Sequence, residues 1–228
     1  MAYYMNLNML AYQYGNLLAQ PDEIKKYLRY IVVDDGSPTN PAIPPTMDIG
    51  VPVEIYRMKQ DIPWNQDACR NLAAKQAPKG WLLLTDMDHV PTFKLIEHVV
   101  YHHLDPDTIY TFTRVSAPDM QPYKSHPNSW LMTRDMYFKV GGYDERFRGI
   151  YGTDGMFKRR ACEKARRVCE IKKPLIRFPR EVVPDASTTT LTRKSDDNDA
   201  RKRAMLTNIN KSGDVKPVHF LTPWEQVA

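Results

Sequence analysis

The chain has 228 residues, of which 42% are hydrophobic and 11% aromatic, and its formal net charge is +5. This composition excludes a disordered chain, because four Trp and thirteen Tyr supply ample apolar surface for a core. The length suits one α/β domain. No apolar stretch approaches the roughly 18 residues that span a bilayer, and the start lacks a signal-peptide pattern, so we expect a cytoplasmic protein.

Apolar spacing and turn residues predict alternating helices and strands. In chain order we predict a helix capped by Asn6 over residues 7–18, strands over 29–33 and 51–57, a helix over 65–76, a strand over 81–85, a helix over 92–103 and a strand over 108–115. A further helix is expected over 155–165. Such alternation predicts βαβ units and a largely parallel sheet.

Paired acids follow two of the predicted strands. Asp34 and Asp35 end the strand at 29–33, and Asp86 and Asp88 follow the apolar run at 81–84. Ligands of open α/β sheets bind beyond the carboxyl ends of strands, so we expect both pairs to face one pocket. Carboxylates at such a place suit Mg²⁺ or Mn²⁺, although Asp also ends strands simply because it favours turns.

Four motifs in chain order resemble those of GT-A glycosyltransferases of the family-2 type. They are Ile-Val-Val-Asp-Asp-Gly-Ser at 31–37, Ala-Cys-Arg-Asn-Leu-Ala at 68–73, the Asp-Met-Asp of a DxD metal motif at 86–88, and the segment from Gly-Gly-Tyr-Asp-Glu at 141–145 to Tyr-Gly-Thr-Asp at 151–154. The last segment is similar to galactosyltransferase C-terminal regions. The similarity covers roughly residues 3 to 180.

The resemblance implies an α/β fold with a Rossmann-like GT-A domain over residues 1–180 and a mostly parallel central sheet. Residues 181–228 are expected to form a C-terminal tail that is partly mobile and docks back onto the domain. The start departs from the family, because residues 1–6 resemble the turn that follows the first strand, while the strand itself is missing.

The implied activity is that of a metal-dependent hexosyltransferase, which moves a sugar from a nucleotide-sugar donor to a hydroxyl acceptor with inversion. A UDP-sugar is favoured on family frequency, and Mn²⁺ or Mg²⁺ is the expected cofactor. The default acceptor is a glycan or a lipid-linked saccharide, and DNA is the alternative. Transfer leaves a diphosphate behind, which a divalent ion stabilises as a Lewis acid.

The resemblance also assigns donor-side residues. Asp88 is the first choice for coordinating the metal, and Asp86 for the metal or the ribose. Asp35, with Asp34 beside it, is expected to accept hydrogen bonds from the base or ribose. Arg70 is expected to reach the base or diphosphate, with an ion pair on the helix surface as the alternative.

Two further donor-side assignments remain open at this point. Tyr3 is expected to stack on the base, with simple packing as the alternative. A third metal ligand remains open between Asp185 and His219, because Phe178 stands where relatives often supply a His. His89 is expected to be exposed, without a direct contact to the ion.

On the acceptor side, Asp154 is the expected catalytic base, with a helix N-cap as its alternative role. The resemblance places Gly142, Asp144 and Glu145 at the acceptor. Residues 158–180 contain ten Lys or Arg against two Glu. Such a segment attracts polyanions, or it is the solvated face of an amphipathic helix.

Two other classes of function stay open. A nucleotidyltransferase also needs strand-end carboxylates on a metal, but it would usually carry a Gly-rich loop with Lys or Arg after its first strand, and none is visible. A non-catalytic nucleic-acid-binding protein on a GT-A scaffold would explain the basic segment. The three Cys are odd in number and lack Cys-x-x-Cys spacing, so we expect free, mostly buried thiols.

Overall fold

The structure is a computed structural model that describes residues 1–187 and 195–228. Its strands are β1 (Ala2–Tyr3), β2 (Tyr30–Asp34), β3 (Val53–Met58), β4 (Trp81–Leu84), β5 (His89–Pro91), β6 (Thr108–Ser116), β7 (Gln121–Tyr123), β8 (Trp130–Thr133), β9 (Arg167–Arg177) and β10 (Trp224–Gln226). Its helices are α1 (Leu7–Leu18), α2 (Asp22–Lys25), α3 (Gln66–Gln76), α4 (Phe93–Tyr101), α5 (Arg134–Val140), α6 (Asp154–Lys164) and α7 (Asn198–Ser212), with a 3₁₀ turn at Glu145–Phe147.

The strands form two sheets. The first has the order β1-β2-β3-β10, in which β1, β2 and β3 are parallel and β10 is antiparallel to β3. The second has the order β4-β8-β6-β9-β5, with β7 paired to β6. Here β8 lies between β4 and β6 and runs against both, so only the β6–β9 pair is parallel. The predicted parallel arrangement therefore describes the first sheet, and the second sheet is mixed.

A short strand stands at the start of the chain, where the resemblance predicted none. Ala2 pairs with Val33 and Tyr3 with Asp34 in parallel register, so β1 forms one edge of the first sheet. The amide of Asp35 also donates to the carbonyl of Tyr3 at 2.9 Å. These pairings bring the carboxyl ends of β1 and β2 to the same edge.

Helices cover both faces of each sheet. In the first sheet the buried side chains alternate: Val32 and Ile55 pack with α1, whereas Val33 and Tyr56 pack with α3. In the second sheet α5 and α6 contribute to the core on one face and α4 to the core on the other. None of the described helices is long and apolar enough to cross a membrane.

The C-terminal segment contains a helix, α7, and the strand β10. Trp224 pairs with Met58 in the antiparallel ladder between β10 and β3, and its ring lies edge-on to Tyr56 at 5.7 Å between centroids. Residues 188–194 of the predicted mobile tail lie outside the described residues.

All three cysteines are free. Cys69 is buried but Cys162 is exposed, so the expectation of mostly buried thiols was wrong there.

The N-terminus of α1 is capped from a distant part of the chain. Asn6 precedes the helix as predicted, but its side chain accepts a hydrogen bond from the amide of Tyr4 and makes no cap bond. Instead the Asp185 carboxylate accepts from the amides of Asn8 at 2.7 Å and Met9 at 3.0 Å. Asp185 is therefore a cap and not the third metal ligand proposed from the sequence.

We predict that Asp185→Ala lowers the free energy of unfolding by about 1–2 kcal/mol, because two amides in the first turn of α1 lose their acceptor. Urea denaturation measures the change, and Asp185→Asn should recover part of it because one acceptor oxygen remains. Asp22→Ala is the control, since this side chain is 96% exposed. Equal stability of Asp185→Ala and the wild type would show that the carboxylate does not cap the helix.

Candidate active site

A cleft of about 660 Å³ opens beyond the carboxyl ends of β1, β2 and β4. Residues before α3, before α6 and after β9 complete its walls. The side chains in it that bear on chemistry are Asp35, Asp86, Asp88, His126, Asp154 and Arg177. The structure thus brings one acid of the first strand-end pair, both acids of the second and the expected base into one cavity.

Asp86 is held by two partners on opposite oxygens. The Arg70 guanidinium bonds to Oδ1, and His126 Nε2 lies 3.2 Å from Oδ2. Burial would raise the pKa of Asp86, but Arg70 and His126 outweigh that effect and hold the pKa well below its usual range. Asp86 is therefore ionised, and its charge is compensated within the protein.

Arg70 lies behind the cleft wall and is only 1% exposed. Its guanidinium also donates to the carbonyl of Asn128 at 2.9 Å and to the hydroxyl of Tyr143 at 3.3 Å, and it stands 5.4 Å from the Tyr143 ring centroid. Neither direct donor contact nor an ion pair on the helix surface describes this position. Arg70 instead positions Asp86 from the interior.

Asp88 is oriented by a buried histidine. His89 Nδ1 lies 2.7 Å from Asp88 Oδ1, and His89 Nε2 lies 2.8 Å from the guanidinium of Arg114. Because a guanidinium can only donate, Nε2 accepts, so the ring proton sits on Nδ1 and is donated to Asp88. His89 is 1% exposed, and the expectation of an exposed ring was wrong.

His126 was missed from the sequence. It lines the cleft, bonds to Asp86, and its Nδ1 lies 2.9 Å from Ser129 Oγ. Its ring also lies 4.4 Å from that of His89. The loop between β7 and β8 has no periodic pattern, so only the tertiary contact with Asp86 reveals this residue.

The residues present suit a divalent ion that takes some of its ligands from the protein and the others from a substrate. Within residues 1–187 and 195–228, no group of three or more His, Cys, Asp and Glu could hold an ion by protein ligands alone. The Asp88 carboxylate does line the cleft, 19% exposed. Mg²⁺ bound through one or two carboxylates plus substrate phosphates needs no more from the protein. His219, the other candidate ligand, instead has Nε2 2.5 Å from the carbonyl of Gly141.

The two acids after β2 have separate places. Both oxygens of Asp34 accept backbone amides, from Ser37 at 2.8 Å and Ala42 at 3.0 Å, so this side chain shapes its own loop and does not line the cleft. Asp35 lines the cleft, and its contact with the donor stays a prediction. Tyr3 also lines it, but is 1% exposed and donates its hydroxyl to Asn40 at 2.5 Å, which fits the packing alternative.

The three residues assigned to the acceptor lie outside the lining of the cleft. Gly142 has φ +58°, and a Cβ there would lie 2.8 Å from Asn71 Oδ1. Asp144 forms a two-point ion pair with Arg146, at 2.9 and 2.8 Å. The Glu145 carboxylate accepts from Asn71 and from the amide of Leu221. Asp144 and Glu145 thus bind partners within the protein, and Glu145 contacts the C-terminal segment through the amide of Leu221.

Asp154 is the first residue of α6 and lines the cleft. Thr153 occupies the N-cap position, so Asp154 does not act as the cap. Burial and the negative charge of Asp86 raise the pKa of Asp154, against the opposing effect of Arg70. Gln66 Nε2 approaches Asp154 Oδ1 at 3.5 Å from the start of α3.

A second buried acid stands behind Asp154. Asp67 is 2% exposed and accepts a hydrogen bond from Thr153 Oγ1 at 2.9 Å. Burial and the neighbouring Asp154 raise the pKa of Asp67 to about 7. Sequence reasoning overlooked Asp67, because a helix-start Asp usually faces solvent.

The basic segment does not form one surface: Arg177 and Arg180 line the cleft, whereas Arg166 and Arg167 lie at the other end of β9. Residues up to Lys164 belong to α6, and Arg167 to Arg177 form β9, so the helical alternative holds only for the first part. Arg166 and Arg167 lie near Asp105 at the start of β9, whereas Arg177 reaches the cleft at its end. An eleven-residue strand separates them by roughly 30 Å. The Arg160 guanidinium is bound within the protein, because it donates to the carbonyl of Gly142.

Comparison with known families agrees with this geometry. The family model described as glycosyl transferase family 2 matches residues 1–166. The chain belongs to this family. It is therefore a glycosyltransferase, as the resemblance predicted, and the nucleotidyltransferase alternative loses its support. Comparison with curated proteins gave no significant match.

Solved structures share the GT-A fold of the family-2 chain. S. aureus TarS 1–349 has a TM-score of 0.60 at 16% identity, covering 90% of this chain and 67% of that one. The same protein in complex with UDP-GlcNAc gives 0.61 at 15%, covering 94% and 72%. A further S. aureus TarS structure gives 0.59 at 15%, and there the chain covers only 42% of the neighbour.

We predict a pH-dependent stability difference between the wild type and Asp67→Asn. The folded state binds this proton more tightly than the unfolded state, so the wild type loses stability as pH rises from about 4 to about 7. Asp67→Asn lacks this loss, and its relative gain should be no more than about 4 kcal/mol. Thermal unfolding at pH 5 and pH 8 measures it, with Asp22→Asn as the control. A difference that is the same at both pH values would contradict the prediction.

Proposed function

We propose that the chain transfers the sugar of a UDP-sugar to an acceptor hydroxyl, with inversion. In this proposal Asp88 binds a divalent ion, and Asp154 acts as the catalytic base. The observation that carries the proposal is the single cleft lined by Asp88 and by Asp154. The S. aureus TarS structure in complex with UDP-GlcNAc supports the choice of a UDP-sugar, since it shares this fold. The default acceptor remains a glycan or lipid-linked saccharide.

On the donor side, Asp35 lies where it can accept hydrogen bonds from the base or ribose, at the end of β2. His89 Nδ1 donates its proton to Asp88 and so holds this carboxylate at the cleft, where it would bind the divalent ion. A bound Mg²⁺ or Mn²⁺ would supply Lewis-acid stabilisation of the leaving diphosphate. Asp86 carries its own compensating partners, so it shapes the site instead of adding an uncompensated charge beside the phosphates.

Arg177 provides a positive charge next to Asp88. The amide of Phe178 donates to the carbonyl of Asp88 at 2.8 Å, which fixes the end of β9 against the DxD segment. The Arg177 guanidinium stands 4.9 Å from the ring centroid of Tyr123, which Arg114 also contacts. A guanidinium held in place beside the cleft stabilises negative charge as it develops on the leaving diphosphate.

On the acceptor side, Asp154 removes the proton of the attacking hydroxyl. Its raised pKa makes the carboxylate a better base near neutral pH than an ordinary surface Asp. The protonated form cannot accept a proton, so activity is expected to fall as pH drops through this raised pKa. Gln66 and the Thr153–Asp67 bond hold the start of α6 in place.

We predict that Asp88→Asn weakens the binding of UDP-GlcNAc in the presence of Mn²⁺ by about ten-fold or more, because the amide is a poor ligand for a hard cation. Calorimetry measures the affinity with and without Mn²⁺. Asp119→Asn removes an equal charge from an exposed turn and serves as the control. An unchanged, Mn²⁺-dependent affinity in Asp88→Asn would remove Asp88 from the metal site.

We predict that Asp154→Asn lowers sugar transfer by about 10²-fold or more while donor affinity and stability stay near those of the wild type. Asn keeps the shape of the side chain but cannot take the proton. Release of UDP from a panel of UDP-sugars, with Mn²⁺ present and water as the acceptor, measures transfer.

Asp135→Asn is the matched control, because Asp135 is also a first-turn acid, in α5, and is exposed. Near-normal transfer by Asp154→Asn would refute its role as base. The same assay tests the whole proposal, since a protein that releases UDP from no donor is not the transferase described.

A further inference from the structure

Two aromatic rings stand beside Asp154 at the cleft. Trp64 and Tyr151 both line it, with their ring centroids 4.4 Å apart and their planes inclined by 52°. Trp64 lies two residues before Gln66, and Tyr151 lies three residues before Asp154. The contact between Gln66 and Asp154 therefore joins the same two segments as the ring contact. The proposed function assigns no role to either ring.

The two rings are held firmly in place. Trp64 has a φ of +57°, which is strained for a bulky residue and persists only where the surroundings impose it, most often at binding sites. The backbone of Tyr151 is bound on both sides by Asn198 of α7, at 2.6 and 3.3 Å. Lys202 of α7 also bonds to the carbonyl of Gly152. The C-terminal segment thus fixes this wall of the cleft.

The rings present an apolar face to the cleft. Nε1 of Trp64 is buried against the described protein, so the part of the indole that reaches the cleft is carbon. Tyr151 is 37% exposed. Flat, rigid rings of this kind pack against the C–H face of a pyranose or against a nucleobase. Three residues of chain span at most about 10 Å, so a ligand on Tyr151 lies within reach of Asp154.

The charges of the cleft discriminate between a saccharide and a nucleic acid as the ligand of the two rings. Five carboxylates line it, from Asp35, Asp86, Asp88, Asp154 and Glu181, against the guanidinium groups of Arg177 and Arg180. The side chains that line the cleft therefore carry more negative than positive charges before a donor diphosphate enters. A nucleic acid would bring further phosphates into this field, and the basic residues at the start of β9 are too distant to offset them. A neutral sugar meets no such repulsion.

We propose that Trp64 and Tyr151 form the acceptor subsite, and that it takes a neutral saccharide whose ring stacks on them and offers a hydroxyl to Asp154. This inference rests on the proposed function and names its acceptor class. It also gives α7 a role, because this helix braces the loop that carries Tyr151. The Asp144 and Glu145 region then serves the same end indirectly, by holding the chain that follows α7.

Saturation-transfer NMR with the methyl glycosides of glucose, galactose and N-acetylglucosamine, in the presence of UDP and Mn²⁺, tests the subsite. We expect at least one glycoside to bind the wild type, with its ring C–H protons in contact. Tyr151→Leu and Trp64→Leu should each raise its dissociation constant by about ten-fold. Tyr151→Phe keeps the ring and should bind almost as the wild type does.

Tyr101→Leu, at an exposed ring on α4, is the control for loss of a surface aromatic. The inference is overturned if no glycoside binds, or if the leucine variants bind as the wild type does. It is also overturned if a single-stranded oligonucleotide binds in place of the glycosides and the leucine variants lose it. Release of UDP is measured in parallel: a wild type that binds glycosides but releases no UDP contradicts the proposed function and not the subsite.

Discussion

The ion pair between the buried Arg70 and Asp86 of the cleft is the interaction on which the site depends. Arg70 comes from the middle of α3, Asp86 from the loop after β4, and the other contacts of Arg70 come from Asn128 and Tyr143. One side chain thereby joins α3 to the loop after β4, the loop before β8 and the segment after α5. Removing Asp86 would leave the buried charge of Arg70 uncompensated, which is strongly destabilising. The pair holds the DxD segment in a fixed place before any substrate arrives.

From this pair the site extends in two directions. Towards Asp88, the proposed metal ligand, Arg114 sets the tautomer of His89, and His89 in turn orients Asp88. Towards Asp154, the proposed base, burial and the charge of Asp86 raise the pKa of Asp154, and Asp67 and Gln66 hold the start of α6. The same arrangement of charges thus keeps Asp86 ionised and raises the pKa of Asp154. This division suits a reaction with a leaving diphosphate on one side and a proton to remove on the other.

Much of this could be predicted from the sequence where the signal is local. Apolar spacing gave the positions of α1, α3 and β2. The acids that follow β2 and β4 do share the cleft, although these two strands belong to different sheets. The sequence of one segment shows that an acid ends a strand. It does not show where the side chain points: Asp34, adjacent to Asp35, turns into its own loop.

The rest depends on contacts between distant segments. Asp185 caps a helix about 180 residues earlier, and Glu145 binds the amide of Leu221. His126 has meaning only beside Asp86, and the antiparallel insertion of β8 between β4 and β6 has no local pattern. Each of these polar residues has several possible partners and binds the one that the fold brings near. A sequence motif cannot specify that partner.

The central claim is that the sugar is attacked from the side of Asp154 while the diphosphate leaves towards Asp88. Time-resolved proton NMR of the sugar first released from UDP-GlcNAc, with Mn²⁺ present and water as the acceptor, tests it most directly. The donor is linked through the α anomer, so the account predicts that the β anomer appears first, before mutarotation. Initial release of the α anomer would contradict it.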